Sequence, residues 1–237
     1  PRYMHLVELI ACKETEAGIL DSLEKFLVTN LGKGVIRAKD TPNFIANRVG
    51  VFSMLATIHH AERLGIGFDT VDALTGSLIG RPKSATFRTL DLAGVDILAH
   101  VVRNLHERLP DPDARAAFVL PPFVAAMIER KLVGEKSGAG FYKRVTTASG
   151  SEILTLDIDT LEYRPRRSAR FPSIEAAASI TDLDARLKAL YHGKDRVGEF
   201  LRATLEPTLR YTAAVAPAIA NADCIPAVNA ARPAATN

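Results

Sequence analysis

The feature that most constrains the fold is a change of hydrophobic period near residue 40. Before it, "LVELIAC" (6–12) and "KGVIRAKD" (33–40) are apolar runs typical of short strands. Between them, "ETEAGILDSLEKFLVTNLG" carries apolar side chains at helical spacing and ends at Gly32. A strand, a helix and a second strand in succession predict one βαβ unit, at the edge of a parallel sheet.

Residues 41–144 follow a helical period and predict an all-α domain. Asp40 or Thr41 can cap a first helix there, and Pro42 suits its first turn. Several helical patterns succeed it, one of them interrupted near Gly94. The predicted fold class is therefore mainly α, with a helical domain that follows a βαβ unit.

The remaining residues are assigned to two further segments. Residues 145–182 predict a linker or small extension, with a short strand or hairpin and then a basic connector in which X-Pro pairs disfavour helix. Residues 183–237 return to a helical period and are interpreted as a partial second helical repeat. Together with 1–40 and 41–144, these give four segments.

Composition argues against several classes of function. Hydrophobic residues make up 47% of the 237 residues and charged residues 24%, which is ample for a core. A net charge of +3 (30 basic minus 27 acidic residues) and the lack of Trp argue against a nucleic-acid partner. Apolar runs are too short to span a membrane. The two cysteines fit no metal or redox spacing, so a cytoplasmic location is expected.

Cofactor motifs are missing from the sequence. The segments "GKGVIR", "GIGFDT" and "GAGFYK" each fail to complete the dinucleotide pattern G-x-G-x-x-G. There is no Walker loop, no H-E-x-x-H and no Cys/His cluster with metal spacing. His59 and Glu62 lie three residues apart on a predicted helix, and a solvated pair is favoured there because no further ligand is indicated. We predict no metal site and no cofactor-binding residue in this chain.

Asn47 is a polar residue in line with an apolar stripe of the first predicted helix. The stripe continues through Val51, Met54 and Ile58, and a second apolar stripe lies on another side. A buried amide needs partners, because leaving one unpaired costs roughly 1–3 kcal/mol. From the residues alone, a backbone hydrogen bond for Asn47 and a carboxylate partner for Arg48 are favoured over a role in an active site.

Glu8 is a carboxylate inside an apolar strand. One interpretation is an edge-strand charge turned to water. The other is an acid that orients a histidine base and stabilises its cation. His5 is a poor partner, because residues three apart on a strand point to opposite faces. The residues alone leave both interpretations open.

Four segments occur in the order and approximate spacing of the L-3-hydroxyacyl-CoA dehydrogenases. They are "PRYMHLVELI", "KDTPNFIANRVG", "GRPKSATFRTLDLAGVD" and "GEKSGAGFYKR". The chain resembles this family from Pro1 to about Arg144. The residues beyond are similar to the long bacterial type, which often carries a fused enoyl-CoA hydratase. The resemblance implies a helical C-terminal domain of the 6-phosphogluconate dehydrogenase kind, preceded by the end of a Rossmann domain that binds NAD.

The resemblance also implies an activity, namely NAD-dependent oxidation of the 3-hydroxyl of a fatty acyl-CoA in β-oxidation. In the family, a histidine takes the hydroxyl proton, a glutamate holds that histidine, and a serine and an asparagine position the substrate. Glu8 matches the glutamate and Asn47 the asparagine. The histidine, the serine and the glycine fingerprint are expected upstream of Pro1, so the chain alone is expected to be inactive. Acyl-CoA is the implied substrate, and a homodimer through the helical domain is the implied assembly.

Other polar and charged residues also receive assignments beside the resemblance. Lys83 and Ser84 are expected near the acyl pocket or a dimer contact, while Arg48 and Asp91 are interpreted as structural. A basic run is interpreted as a solvated connector in preference to a site for CoA phosphates. That run consists of Arg164, Arg166, Arg167 and Arg170.

Two alternative functions remain at this point. The first is a non-catalytic helical module for dimerisation or docking, which exposed apolar faces would serve. The second is another hydroxy-acid dehydrogenase with the same two-domain plan. The "DTPNFIANR" and "GAGFYKR" segments argue against that second alternative.

Overall fold

The computed structural model describes residues 4–16, 18–147, 150–167 and 170–220. These residues form a mainly helical protein with two small sheets, so the predicted fold class is confirmed. The strands are β1 (Leu6–Ile10), β2 (Gly34–Ala38), β3 (Tyr142–Thr147), β4 (Gly150–Leu156) and β5 (Tyr163–Pro165). The α-helices are α1 (Ile19–Leu31), α2 (Ala46–Leu64), α3 (Phe68–Thr75), α4 (Phe87–Ala93), α5 (Val95–Arg108), α6 (Pro112–Ala116), α7 (Pro122–Glu129), α8 (Pro172–Ala178), α9 (Leu183–Tyr191) and α10 (Arg196–Ile219).

The chain divides into two compact units. The first unit consists of residues 1–50 and 209–237, and the second unit consists of residues 51–208. The four segments expected from the sequence have other boundaries and stay a prediction. Of the predicted second helical repeat, residues 221–237 lie outside the described part of the chain.

The first unit contains the predicted βαβ pattern. Strands β1 and β2 pair in parallel, with Glu8 opposite Ile36, and α1 connects them. Gly32 ends α1 in the left-handed conformation, with φ of 60°, which glycine adopts without steric cost. The strand, helix and strand expected near the start of the chain are therefore confirmed.

The end of α10 completes the core of the first unit. Ala38, Ile45, Ile219 and Ala220 are buried and pack together. The backbone N–H of Lys39 donates a 2.9 Å hydrogen bond to the carbonyl oxygen of Ile219. The partly buried side chains around this cluster are Ile10, Ile36, Val49, Val215 and Ala216. Segments from the two ends of the described chain thus share one apolar cluster.

Helix α2 begins later than the sequence predicts. Asn43 and Phe44 have φ of 61° and 52°, a left-handed pair that a right-handed helix does not accommodate. The chain turns there, and the Phe44 N–H donates to the carbonyl oxygen of Thr41 at 3.1 Å. The helix starts at Ala46, so the predicted start at Pro42 is wrong.

An aromatic cluster forms the centre of the second unit. The ring centroid of Phe68 lies 4.4 Å from that of Phe87, 4.9 Å from that of Phe141 and 5.9 Å from that of Phe123. All four side chains are buried, and aromatic pairs at these distances add to the gain from area burial alone. Helices α4 and α5 meet at Gly94, where the sequence predicts an interruption.

The glycines of "GEKSGAGFYKR" pack against one buried carboxylate. Asp91 Oδ1 accepts the N–H of Phe141 at 2.8 Å, and its Oδ2 accepts the N–H of Tyr142 at 2.9 Å. A Cβ on Gly140 would lie 2.0 Å from Asp91 Oδ1, and one on Gly134 would lie 2.3 Å from its carbonyl oxygen. Only glycine fits at these two positions. Asp91 therefore has a structural role, as the sequence indicates.

A three-stranded antiparallel sheet follows, in the order β3-β4-β5. The predicted short hairpin is thereby confirmed. Arg164, in β5, pairs with buried Asp69 at 3.0 Å, and the N–H of Arg167 donates to the same carboxylate at 2.7 Å. The interpretation of this run as a solvated connector is therefore wrong for Arg164, because an ion pair to a buried carboxylate fixes it.

Candidate functional site

Glu8 caps the N-terminus of α2 from the neighbouring strand. Its Oε2 accepts the N–H of Ile45 and its Oε1 accepts the N–H of Ala46, each at 2.8 Å. The first N–H groups of a helix lack partners within the helix, and the helix dipole favours an anion beside them. The carboxylate is partly buried and has specific partners, so the interpretation as an edge charge turned to water is wrong.

Asn47 lies one residue beyond this cap, in the first turn of α2. Its side chain is exposed, whereas Val51 and Ile58 further along the same stripe are buried. The prediction that Asn47 is buried with that stripe is wrong, because the helix starts at Ala46 and the buried face develops only after the first turn. In the part of the chain that the structure describes, its amide has no hydrogen-bond partner, so the predicted backbone bond is wrong as well.

Glu8 and Asn47 line the same groove, which we call the Glu8 groove. It has a volume of about 810 Å³ and lies within the first unit. Polar groups from Asn30 and Lys33 also reach its wall. The remaining wall is apolar and consists of Met4, Leu6, Val7, Leu27, Leu31 and Ala46. A carboxylate, and an amide that has no hydrogen-bond partner among the described residues, therefore line one largely apolar groove.

Arg48 links this helix turn to α10. Its Nε donates a 2.8 Å hydrogen bond to the hydroxyl of Tyr211, and its guanidinium lies 6.0 Å from the centre of that ring. Burial raises the pKa of Tyr211, which keeps the hydroxyl neutral at physiological pH. The carboxylate partner expected for Arg48 is replaced by a tyrosine that sequence reasoning did not connect with it.

The other candidate residues lie in the second unit. Lys83 is exposed and lines a second cavity, and the hydroxyl of Ser84 accepts a 2.9 Å hydrogen bond from Thr89. His59 Nε2 lies 3.0 Å from the carbonyl oxygen of Val119. Within the described ranges, no group of three or more His, Cys, Asp or Glu side chains is arranged to hold a metal ion.

A dinucleotide would need a glycine-rich turn between a strand and a helix. The turn that joins β1 to α1 has Gly18 as its single glycine. Within this turn the N–H of Cys12 donates a 2.9 Å hydrogen bond to Thr15 Oγ1. The described residues therefore do not fit NAD at this turn. None of the helices in the described ranges combines the length and apolarity that a bilayer crossing needs.

Comparison with known proteins shows which family this sequence resembles. The family model for the 3-hydroxyacyl-CoA dehydrogenase C-terminal domain matches residues 44–144. A probable 3-hydroxyacyl-CoA dehydrogenase of Bacillus subtilis is 44% identical over 212 residues, which cover 90% of this chain and 26% of that protein. Residues 44–144 belong to the 3-hydroxyacyl-CoA dehydrogenase C-terminal domain family. The family resemblance noted in the sequence is thus confirmed.

Two further relatives of this dehydrogenase family agree. A probable 3-hydroxyacyl-CoA dehydrogenase of Deinococcus radiodurans is 41% identical over 144 residues, covering 61% of this chain and 41% of that protein. The crystal structure of M. tuberculosis FadB2 superposes with a TM-score of 0.51 and 30% identity, over 61% of this chain and 49% of that one. The chain spans less than half the length of these relatives.

Proposed function

We propose that this chain supplies the carboxylate and the amide of an NAD-dependent L-3-hydroxyacyl-CoA dehydrogenase active site. The reaction converts a 3-hydroxyacyl-CoA and NAD to a 3-oxoacyl-CoA and NADH, with release of one proton. The observation that carries the proposal is the shared groove: Glu8 comes from a strand and Asn47 from a helix, and both line it. The names of the relatives supply the reaction class.

Glu8 is proposed to hold and polarise the histidine base that the family resemblance implies. A carboxylate has about four acceptor sites, and the N–H groups of Ile45 and Ala46 occupy two of them. The remaining sites accept the imidazole N–H and stabilise the imidazolium that forms when the base takes the hydroxyl proton. The two backbone bonds fix the carboxylate in position before the substrate arrives.

Asn47 is proposed to donate a hydrogen bond to the 3-oxygen of the substrate. Negative charge grows on that oxygen as its proton leaves, and a fixed amide donor stabilises it most where water is scarce. The amide of Asn47 has no hydrogen-bond partner among the described residues, so it is available for this contact. The apolar wall of the Glu8 groove suits the acyl part of the substrate.

NAD supplies the hydride acceptor in this proposal. The turn between β1 and α1 does not fit a dinucleotide. We therefore assign NAD binding to the upstream glycine fingerprint that the family resemblance implies. The functions assigned to this chain are therefore to hold the base and to bind the substrate oxygen.

A homodimer through the helical region forms part of the proposal. Leu92, Ile97 and Val119 are about half exposed in the second unit, and a partner subunit would cover such side chains. Light scattering on the purified protein tests this part, and a monomer at all concentrations contradicts it. The cytoplasmic location stays a prediction.

The experiment is a kinetic comparison in the intact protein, meaning this chain together with the histidine, the serine and the glycine fingerprint that the family resemblance implies. With 3-hydroxybutyryl-CoA and NAD, we expect turnover by the wild type and a loss of about 10²-fold or more in kcat for Glu8→Gln. Glu14→Gln, at an exposed loop position, is the matched control and keeps the wild-type rate.

The pH profile separates catalysis from folding. A lost carboxylate lowers the pKa of the neighbouring imidazolium, so the acidic limb of kcat/KM moves to lower pH in Glu8→Gln. No turnover by the wild type contradicts the assigned reaction. Wild-type kcat together with an unshifted limb in Glu8→Gln contradicts the function proposed for Glu8. Turnover by the wild type also excludes the alternative of a purely non-catalytic docking module.

A further inference from the structure

The second unit contains a cavity of about 750 Å³ whose lining shares no residue with the Glu8 groove. Four basic side chains line it, from Lys83, Arg88, Arg144 and Arg166. They come from the loop before α4, from α4 itself, from β3 and from the residue after β5. We call it the cationic cavity. Pockets that bind small ligands have volumes of roughly 300–1,000 Å³, and this cavity falls in that range.

The acidic residues of the cationic cavity are already occupied. Asp72 accepts the N–H groups of Thr86, Phe87 and Arg88 at 3.1, 2.7 and 2.9 Å. It also accepts the hydroxyl of Tyr142 at 2.9 Å. These four bonds satisfy its acceptor sites, so Asp72 serves the backbone turn and the tyrosine.

The second acidic residue, Glu135, forms an ion pair with Arg88. Lys83, Arg144 and Arg166 have no such partner, because no carboxylate of the described residues lies within 4 Å of their charged groups. Three positive charges from separate segments therefore line one cavity without an ion-pair partner among the described residues. Like charges held together repel each other, and an anion between them relieves the repulsion.

Two features define the chemistry of the wall of the cationic cavity. The guanidinium of Arg166 lies 5.4 Å from the centre of the Tyr142 ring, a distance typical of a cation–π contact. Arg144 in β3 is the register partner of Ile153 in β4, and the exposed apolar side chain of Ile153 lines the same cavity. The wall thus combines planar cationic groups with apolar surface.

From this arrangement, we propose that the cationic cavity binds a phosphate-bearing ligand of nucleotide size. Guanidinium groups bind phosphate oxygens in pairs, and the ammonium of Lys83 adds a point charge. Ile153 contacts the apolar or planar part of the ligand. The ligand is either a free nucleotide or the nucleotide portion of coenzyme A, since both present the same phosphate chemistry.

The test is isothermal titration of the full chain with three probes: ADP, adenosine 3′,5′-bisphosphate and inorganic pyrophosphate. We expect saturable binding of at least one nucleotide. The variant that combines Lys83→Gln, Arg144→Gln and Arg166→Gln raises its dissociation constant about tenfold or more. The matched control combines Arg103→Gln, Arg108→Gln and Lys194→Gln. It removes the same charge at exposed positions of the second unit and changes the constant less than about twofold.

The outcomes separate the sources of the ligand. Tighter binding of the bisphosphate identifies coenzyme A as the source, and tighter binding of ADP identifies a free nucleotide. Binding of pyrophosphate as tightly as both nucleotides contradicts recognition of a nucleotide. The absence of binding by all three probes, or an equal loss in the control variant, overturns the proposal. Circular dichroism of both variants confirms that the fold is kept.

Discussion

The carboxylate of Glu8 accepts the backbone N–H of Ile45 at 2.8 Å, and the side chain of Ile45 packs against Ile219 in the core of the first unit. The same residue therefore contacts the candidate site through its backbone and the end of α10 through its side chain. The position of the carboxylate depends on packing that is completed far along the chain. This relationship leads to a first prediction, on stability.

Ile219→Ala destabilises the first unit. Ile219 is 3% exposed, and truncation of a buried isoleucine costs about 2–5 kcal/mol through lost burial and the cavity left behind. Hydrogen exchange measures the effect, with faster exchange expected at the amides of β2 and of Ile45. Leu209→Ala, in the same helix but 68% exposed, is the control and leaves these rates within error. Equal exchange in the two variants shows that the end of α10 does not support this core.

Gly140→Ala destabilises the second unit, because its new Cβ would lie 2.0 Å from Asp91 Oδ1. Relief requires Asp91 to give up its bonds to Phe141 and Tyr142, and we expect a loss of about 1–3 kcal/mol in the free energy of unfolding. Chemical denaturation measures it. Gly50→Ala, in α2 with nothing within 4 Å of the new Cβ, is neutral or stabilising by up to about 1 kcal/mol. A neutral Gly140→Ala contradicts the packing explanation of the glycine motif.

Asp91 makes stability depend on pH. Burial raises its pKa to about 6 from the ordinary 3.8, even though the N–H groups of Phe141 and Tyr142 favour the charged form. The folded state holds the proton more tightly, so the contribution of Asp91 is fully present below pH 3.8 and is lost as pH rises through 6. The amount is on the order of 3 kcal/mol.

The measurement is the difference in unfolding free energy between the wild type and Asp91→Asn as a function of pH. We expect the advantage of the wild type to shrink between about pH 4 and pH 6 and to stay constant above that window. The difference cancels the titration of the other carboxylates, whose contributions are common to both proteins. An advantage that grows with pH over the same window rules out a raised pKa for Asp91.

Much of the fold follows from sequence periodicity. The βαβ unit, the break at Gly94 and the hairpin after Tyr142 all occur where apolar spacing, glycine and turn residues indicate them. These signals are local, so they predict each element without knowledge of the distant residues that pack against it. The start of α2 is different. Pro42 is typical of a first helical turn, but the helix begins only after the left-handed pair Asn43 and Phe44. Its N-terminus is capped by Glu8, which lies in strand β1.

The candidate site, like the fold, could be predicted from the sequence only in part. Glu8 and Asn47 were identified through motif resemblance, and the shared groove agrees with their expected proximity. Their surroundings did not follow from the sequence, since spacing along a helix predicted burial of Asn47 and found no cap for Glu8. The bond between Arg48 and Tyr211 joins residues far apart in the chain, and no local pattern connects them. Long-range polar contacts of this kind depend on tertiary packing that periodicity does not encode.

The central claim, that the amide of Asn47 binds the reacting oxygen, is tested most directly by kcat of Asn47→Ala in the intact protein with 3-hydroxybutyryl-CoA and NAD. Asn30→Ala is the control, because that amide lines the same groove from α1. The account predicts a loss of about 10²–10³-fold in kcat for Asn47→Ala, with KM changed less than about threefold and Asn30→Ala close to the wild type. Wild-type kcat in Asn47→Ala, or an equal loss in both variants, would contradict it.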